Sequence, residues 1–487
     1  MPVTRRAMLG GVLSSMATAA LADAPLTSIR PRARLTEYAA AQIIRQSGLS
    51  GTVGCVLANT ATGEVLEAVA PDLPQPPASV AKAFTSLYAI EALGPAHRFE
   101  TRIFADGPVR DGVLDGNLVL VGGGDPNLVT DHLAELAKRL KDAGLREVKG
   151  GFQVWDNALV NLDEIDSAQL DHLGYNPTIT GLNLNYNRVH FEWKRADGEY
   201  TTAVDARSQN YRPAVTVARV QVVDRTSPVF TYRAAEGVDE WTVARRALNN
   251  GGSRWLPVRN PALYAGEVFA TFARSHGIVL KRPEEVAALP DGQVLATFHS
   301  DPLQQMMHGM MRFSTNITAE AAGLSATAAL TGQQRGLRTS ALGMARWADG
   351  RAGIAPYFVD HSGLGDASRV TAADMVRFLT AERVAPTLRP LMKRVDLVDQ
   401  NRQIIRDAAW QVVAKTGTLN FVSSLAGYIR TADGQDLAFA FFGADLEARE
   451  RGKNAGGEAP AGASRWNRQA KALQQRILRH WIRAGSG

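Results

Sequence analysis

Two residues in the stretch PPASVAKAF, Ser79 and Lys82, stand three positions apart at the head of an apolar run. On a helix, residues at i and i+3 share a face with Cβ atoms about 5–6 Å apart, so the lysine amine reaches the serine hydroxyl. Water keeps a lysine protonated, but burial and a nearby cation lower its pKa by up to ~3–5 units, and a neutral lysine is a base. Ser-Lys pairs are a recognised form of the activated serine nucleophile. The same residues after two prolines also make an ordinary helix start, and the pair alone does not separate the two readings.

Other motifs weight the choice. Ser79-x-x-Lys82 is the single S-x-x-K of the chain, and Lys415-Thr416-Gly417 is its single K-T-G. An S-x-N occurs twice, at Ser208-Gln209-Asn210 and at Ser314-Thr315-Asn316. The second is preferred, because the helical ITAEAAGL follows it and that part of the chain should pack against the Ser79 helix. The first falls among strand-like segments and reads as a turn.

The elements that must position these groups can be read from periodicity. Residues 35–48 have helical spacing, two alternating runs around GTVGCVLAN and GEVLEAVA read as a hairpin turning at Thr62-Gly63, and a helix runs from Ser79 to Leu93 with Gly94 as its stop. From about 98 to 298 the texture changes to short strands and turns, a β-rich insertion. Its Gly122–Gly124 run lacks the Lys-Ser/Thr that would complete a phosphate loop, so it reads as a turn and implies no nucleotide. After 299 the chain is helical again and ends in three strand-like runs, WQVVAKTGTL, SSLAGYIR and DLAFAFFG, with Asp433-Gly434 as a hairpin turn between the last two. The final helix carries Trp466, Ala470, Leu473, Ile477 and Trp481 on one face, which predicts packing against the sheet.

Composition sets the frame. The chain has 487 residues, 45% of them hydrophobic and 21% charged, enough for two or three globular domains. Residues 1–22, with Arg5-Arg6 before a short apolar stretch and small residues at Ala20 and Ala22, read as an export signal, of the twin-arginine or the general secretory type. No later run approaches the ~20 apolar residues of a membrane span. Cys55 is the only cysteine, which excludes an intramolecular disulfide and a cysteine-based metal cluster, and its apolar surroundings predict a buried structural thiol. The net charge of +6 would suit a polyanion, but the basic residues are dispersed. An anionic cell envelope fits that distribution better than a nucleic acid does.

With S-x-x-K, S-x-N and K-T-G in this order, the sequence resembles the serine penicillin-recognising enzymes. The long gap between Lys82 and Ser314, with PPASVAK, GNLVLVGGGDPNL, LNLNYNRV, STNITAE, DHSGLG and AKTGTL, makes it similar to the class C low-molecular-mass penicillin-binding proteins, the D-alanyl-D-alanine carboxypeptidase/endopeptidase family. The resemblance implies an α+β transpeptidase-like domain, an antiparallel sheet flanked by helices, at 23–98 and 299–487, interrupted at 99–298 by a β-rich insertion of two nested subdomains. It implies a periplasmic enzyme acting on peptidoglycan stem peptides without metal or cofactor, with β-lactams as covalent inhibitors.

Carried over by position, the resemblance makes Ser79 the nucleophile and Lys82 its base, Ser314 and Lys415 a proton relay to the departing D-Ala, and Asn316 the holder of the peptide amide. Thr416, Gly417 and Thr418 would bind substrate, and the N–H groups of Ser79 and Thr418 would form the oxyanion hole. The family's D-G-S-G-L-S-R appears here as Asp360-His361-Ser362-Gly363-Leu364-Gly365-Asp366. Asp366 therefore stands where an arginine is expected, which puts substrate preference in question, and Asp163, Glu164, Asp166 and Asp171 are acidic candidates for contacts to the stem peptide. Two alternatives are a β-lactamase, against which no Glu-x-x-x-Asn deacylation motif is found, and a wall-binding protein with vestigial catalytic residues.

Overall fold

The structure is a computed structural model and describes residues 39–399, 403–406 and 408–485. The expected export signal lies outside the described residues. Strands from both ends of the chain build an antiparallel six-stranded sheet in the order Lys393–Arg394, Gln411–Leu419, Val422–Arg430, Asp436–Ala444, Thr52–Asn59, Val65–Val69. The first long strand thus pairs with the last, Cys55 lying opposite Phe441.

Alternating side chains of this sheet fill two separate cores, as the period of two requires. One face, with Val56, Ala58, Ala438, Ala440 and Phe442, packs on the helix Lys82–Leu93 and its neighbours Leu303–Phe313, Asn316–Thr331, Leu337–Ala352 and Ala372–Thr380. The other face, with Leu57, Leu437, Phe439 and Phe441, is covered by the terminal helix Ala463–Gly485 through Leu473, Ile477 and Trp481. Cys55 is fully buried there, and burial followed by the nearby Glu67 carboxylate pushes its thiol up to about 12. The α+β fold expected from the resemblance is therefore present, and the final helix covers the sheet as its apolar stripe predicted.

Every residue from Lys82 to Ile90 is buried, so the Ser79 helix is the central helix of the domain. Phe84 stacks on Phe378 with ring centroids 4.1 Å apart, and Met306, Met307, Met310 and Met311 fill the space on the adjoining helix. Lys82, at the head of this helix, is itself fully buried.

Between Glu100 and His299 the chain forms a mixed five-stranded sheet, Pro283–Glu285, Phe152–Trp155, Leu118–Gly122, Glu100–Ala105, Gln293–His299, and three further three-stranded sheets lie within the same stretch of chain. This region is less purely β than its texture suggested. Leu118–Gly122 and Phe152–Trp155 run parallel, which demands a crossover, and the helix Thr130–Asp142 supplies it. A second helix, Pro261–Ser275, packs on the same core. Gly122 and Gly123 are sites of close backbone approach: a Cβ there would lie 2.3 Å from Gly181 O and 2.3 Å from Glu100 O respectively.

Candidate active site

Four chain segments converge at one end of the central helix. The first is the short 3-10 turn Ala78–Ala81 that precedes Lys82. Ala78 has φ +46°, an uncommon conformation for a residue with a Cβ, placing backbone strain immediately before Ser79. Its neighbours hold it there: Ser424 Oγ donates to Pro76 O at 3.1 Å, and both Gly363 and Gly417 press against the turn. A Cβ on Gly363 would lie 1.9 Å from Ala78 O, and one on Gly417 2.7 Å from Pro77 O and 3.1 Å from Ser79 N. Glycine is thus required at both places for strand and loop to reach the turn that carries Ser79.

The second segment is the corner between two helices. Ser314 ends the helix Leu303–Phe313 in a left-handed conformation, φ +60°, and Asn316 opens the next helix. The third is the loop Asp360–Gly363, and the fourth is the strand Gln411–Leu419, on which Lys415 and Gly417 are buried while Thr416 and Thr418 are exposed.

Lys82 lies at the centre. Its Nζ is 3.0 Å from Ser79 Oγ, 2.8 Å from Asn316 Oδ1 and 2.8 Å from Ser362 O. The latter two oxygens can only accept, so they take both N–H bonds of a neutral amine, and the lone pair is left for the Ser79 hydroxyl proton. Burial draws the Lys82 pKa down to about 8, against the opposing pull of Glu320 and Asp360. Lys415 Nζ donates to Ser314 Oγ and, at 2.7 Å, to Thr416 O. Burial first, then Lys82 and Lys393, hold Lys415 well below the ordinary lysine range.

The structure brings Ser79, Lys82, Ser314, Asn316 and Lys415 together. Ser79, Ser314, Asn316 and Thr418 line a cavity of about 600 Å³, whereas Thr416 is outside its wall. Ser208 is remote in role: its hydroxyl donates to Asp131 Oδ1 at 2.7 Å in a turn of the insertion.

Several residues that matter to the site carry no motif. Glu320 is fully buried, and its two carboxylate oxygens accept from His361 N at 2.8 Å and Ser362 N at 2.9 Å, fixing the loop whose Ser362 carbonyl receives Lys82. A lone acid inside the apolar stretch ITAEAAGL was the available signal. The His361 ring rests on Gly323, where a Cβ would lie 2.2 Å from its Cγ, and its Nε2 is 2.8 Å from Ser340 Oγ.

Asp366 is paired rather than exposed to substrate. Arg449 Nε is 2.6 Å from Oδ1, and Lys453 Nζ contacts Oδ2. Burial tends to raise the Asp366 pKa, but Lys453 and Arg449 outweigh it and the carboxyl is held below its usual value. Arg449 and Lys453 themselves line the large cavity, so positive charge reaches it from the helix Leu446–Asn454.

The insertion supplies another wall. Ala168, Gln169, Leu170, Leu173 and Tyr175 face the cavity, and Tyr175 O accepts from Asn316 Nδ2 at 2.8 Å. The acidic candidates in this segment are not among the lining residues. Asp166 turns its carboxylate to Ala168 N and Gln169 Nε2, Glu164 meets Asn176 Nδ2 at 3.2 Å, and the backbone carbonyls of Asp163 and Asp171 are tied by Arg259.

The sequence profile of the D-Ala-D-Ala carboxypeptidase 3 (S13) family matches residues 37–460. This chain belongs to that family. The S13 member is 28% identical over 465 residues to the D-alanyl-D-alanine carboxypeptidase of Actinomadura sp. (strain R39), covering 87% of this chain and 83% of the relative. It is 25% identical over 386 residues to D-alanyl-D-alanine carboxypeptidase DacB of Haemophilus influenzae, covering 75% of this chain and 79% of the relative. In fold it matches the crystal structure of penicillin binding protein 4 (dacB) from Haemophilus influenzae with a TM-score of 0.73 and 20% identity, covering 91% of this chain and 99% of the other. As a member of S13 the chain is a serine peptidase of the carboxypeptidase type. Among the described residues, no helix is long and apolar enough to cross a membrane.

Proposed function

We propose that this S13 member is an exported D-Ala-D-Ala carboxypeptidase or endopeptidase that cleaves peptidoglycan stem peptides through an acyl-enzyme at Ser79. One observation carries the reading: Lys82 Nζ stands 3.0 Å from Ser79 Oγ with its other two contacts made to obligate acceptors. Neutral Lys82 removes the Ser79 proton as Oγ attacks the carbonyl carbon of the penultimate D-Ala. The developing oxyanion is met by the N–H groups of Ser79 and Thr418, donors worth about 10²- to 10³-fold each in comparable sites.

Collapse of the tetrahedral intermediate breaks the peptide bond. The departing amine takes a proton by way of Ser314 and Lys415, and terminal D-Ala leaves. Water then attacks the ester with Lys82 again as base, restoring Ser79. Asn316 Nδ2 holds the substrate amide oxygen, displacing the Tyr175 carbonyl that it meets in the free protein. Thr418, on the cavity wall, meets the terminal carboxylate. A β-lactam presents a strained amide to the same groups and leaves a long-lived ester.

The test is labelling of the mature protein with a fluorescent penicillin, followed by release of D-Ala from a D-Ala-D-Ala peptide. Persistent label on the wild type, none on Ser79→Ala, and D-Ala release support the proposal. Rapid loss of the label would indicate a β-lactamase instead, and absence of any labelling would refute an acyl-enzyme altogether.

A further inference from the structure

A second, smaller cavity of about 140 Å³ adjoins the site on the insertion side and shares Tyr175, Ser314 and Asn316 with the large one. Arg188 lines it. The guanidinium lies between two aromatic rings, 5.2 Å from the centroid of Tyr186 and 5.4 Å from that of Trp255. Gly174 packs along its stem, where a Cβ would stand 3.0 Å from Arg188 Cδ.

Among the described residues, no carboxylate lies within ion-pairing distance of Arg188, and its buried Nε meets no acceptor of the protein. Arg102 and Arg389 also have a buried Nε without an acceptor, but each has a carboxylate beside it, Glu100 and Asp436; Arg449 is met by Asp366, Arg207 by Asp205 and Glu192, and Arg259 by three backbone carbonyls. A desolvated cation without a counter-charge is costly, and stacking between rings offsets only part of that cost.

The protein also fixes this arrangement firmly. Asn185, Tyr186 and Asn187 all have positive φ, at 50°, 59° and 52°, which turns the Tyr186 ring onto Arg188. That strained turn is locked by Asn185 Nδ2 to Thr130 Oγ1 at 2.8 Å and to Tyr264 OH at 2.9 Å, and by Asn187 Nδ2 to Thr178 O at 2.8 Å. Backbone strain beside a cleft persists only where surrounding contacts hold it, and it concentrates where ligands are clamped.

We propose that Arg188 and the small cavity form a subsite for a carboxylate carried by the substrate peptide on the acyl side of the scissile bond. The planar fork of arginine suits a carboxylate bidentately, and the cavity holds a group of that size with its first methylenes. The placement rests on the proposed role of Asn316 in holding the acyl-side peptide, since Asn316 lines both cavities.

The test uses a panel of N-acetylated peptides ending in D-Ala-D-Ala, in which each upstream carboxylate is singly replaced by a carboxamide. In the wild type, one such replacement should lower kcat/KM by at least about 10-fold, the factor equivalent to about 1.4 kcal/mol. In Arg188→Gln the acid and amide forms of that peptide should be cleaved at rates within about 2-fold of each other. The proposal is overturned if no single amidation distinguishes the peptides, or if Arg188→Gln keeps the wild-type ratio while slowing all substrates and penicillin acylation alike. Arg188→Met, which keeps the stacked stem, reads the same ratio should the glutamine variant not fold. A wild type that neither takes up penicillin nor releases D-Ala would instead refute the enzymatic function itself.

Discussion

Raising the pH from about 6 to about 9 should carry Lys82 out of its charged form and raise the acylation rate of Ser79 with it. With a pKa of about 8, roughly a tenth of the enzyme holds the neutral amine at pH 7, against a few parts in ten thousand for an ordinary lysine near 10.4. The rate should therefore rise about tenfold between pH 6 and 7, gain about another tenfold by pH 9, and then level. The limb belongs to a pair, because Glu320 is itself pushed up to about 8 by burial and then by Asp360. Glu320→Gln removes a negative charge that raises the lysine pKa, so the limb should move to lower pH. The plateau should fall as well, since one of the two amides of the loop under Lys82 loses its acceptor. The assay is the second-order rate constant for fluorescent penicillin acylation at constant ionic strength, with circular dichroism as the control for folding. A rate flat across this range, a rise still unfinished above pH 9, or an upward displacement in Glu320→Gln would refute Lys82 as the base.

Two further substitutions probe the scaffold of the site. Gly417→Ala should slow acylation by about 100-fold or more, the order associated with misplacing a reacting group by about 1 Å. The new methyl would sit 2.7 Å from Pro77 O, and penicillin labelling of the folded variant measures the loss. Asp366→Arg should not recover ordinary family behaviour. It would set a third cation against Arg449 and Lys453 and destabilise the protein by about 2 kcal/mol or more, read as a lower midpoint in urea.

The catalytic motifs were legible because each is a short segment with its own local geometry: a helical i, i+3 pair, a helix-joining corner and a strand. The six-stranded sheet was legible in part, since the meander Gln411–Ala444 and the hairpin Thr52–Val69 follow from alternation and turn residues. That Thr52–Asn59 also pairs with Asp436–Ala444 is a long-range fact that periodicity does not contain. The pairing of Asp366 is not contained in its own segment, because its partners Arg449 and Lys453 lie far along the chain. Glu320 carries no motif, since its partners are backbone amides, which nearly every residue has. The helix Thr130–Asp142 was obscured by the short strands around it, although Leu133, Leu136, Ala137 and Leu140 form a helical stripe.

The pairing of the first long strand with the last has a consequence for biosynthesis. The segment bearing Ser79 and Lys82 is made more than 300 residues before the strand carrying Lys415 and the one that pairs with Thr52–Asn59. Contacts of such high sequence separation close slowly. On the proposed mechanism the nascent chain therefore carries Ser79 and Lys82 before it has Lys415, and hydrolytic competence waits for the later strands. Such a peptidase stays inert during its own production, wherever in the cell folding is completed.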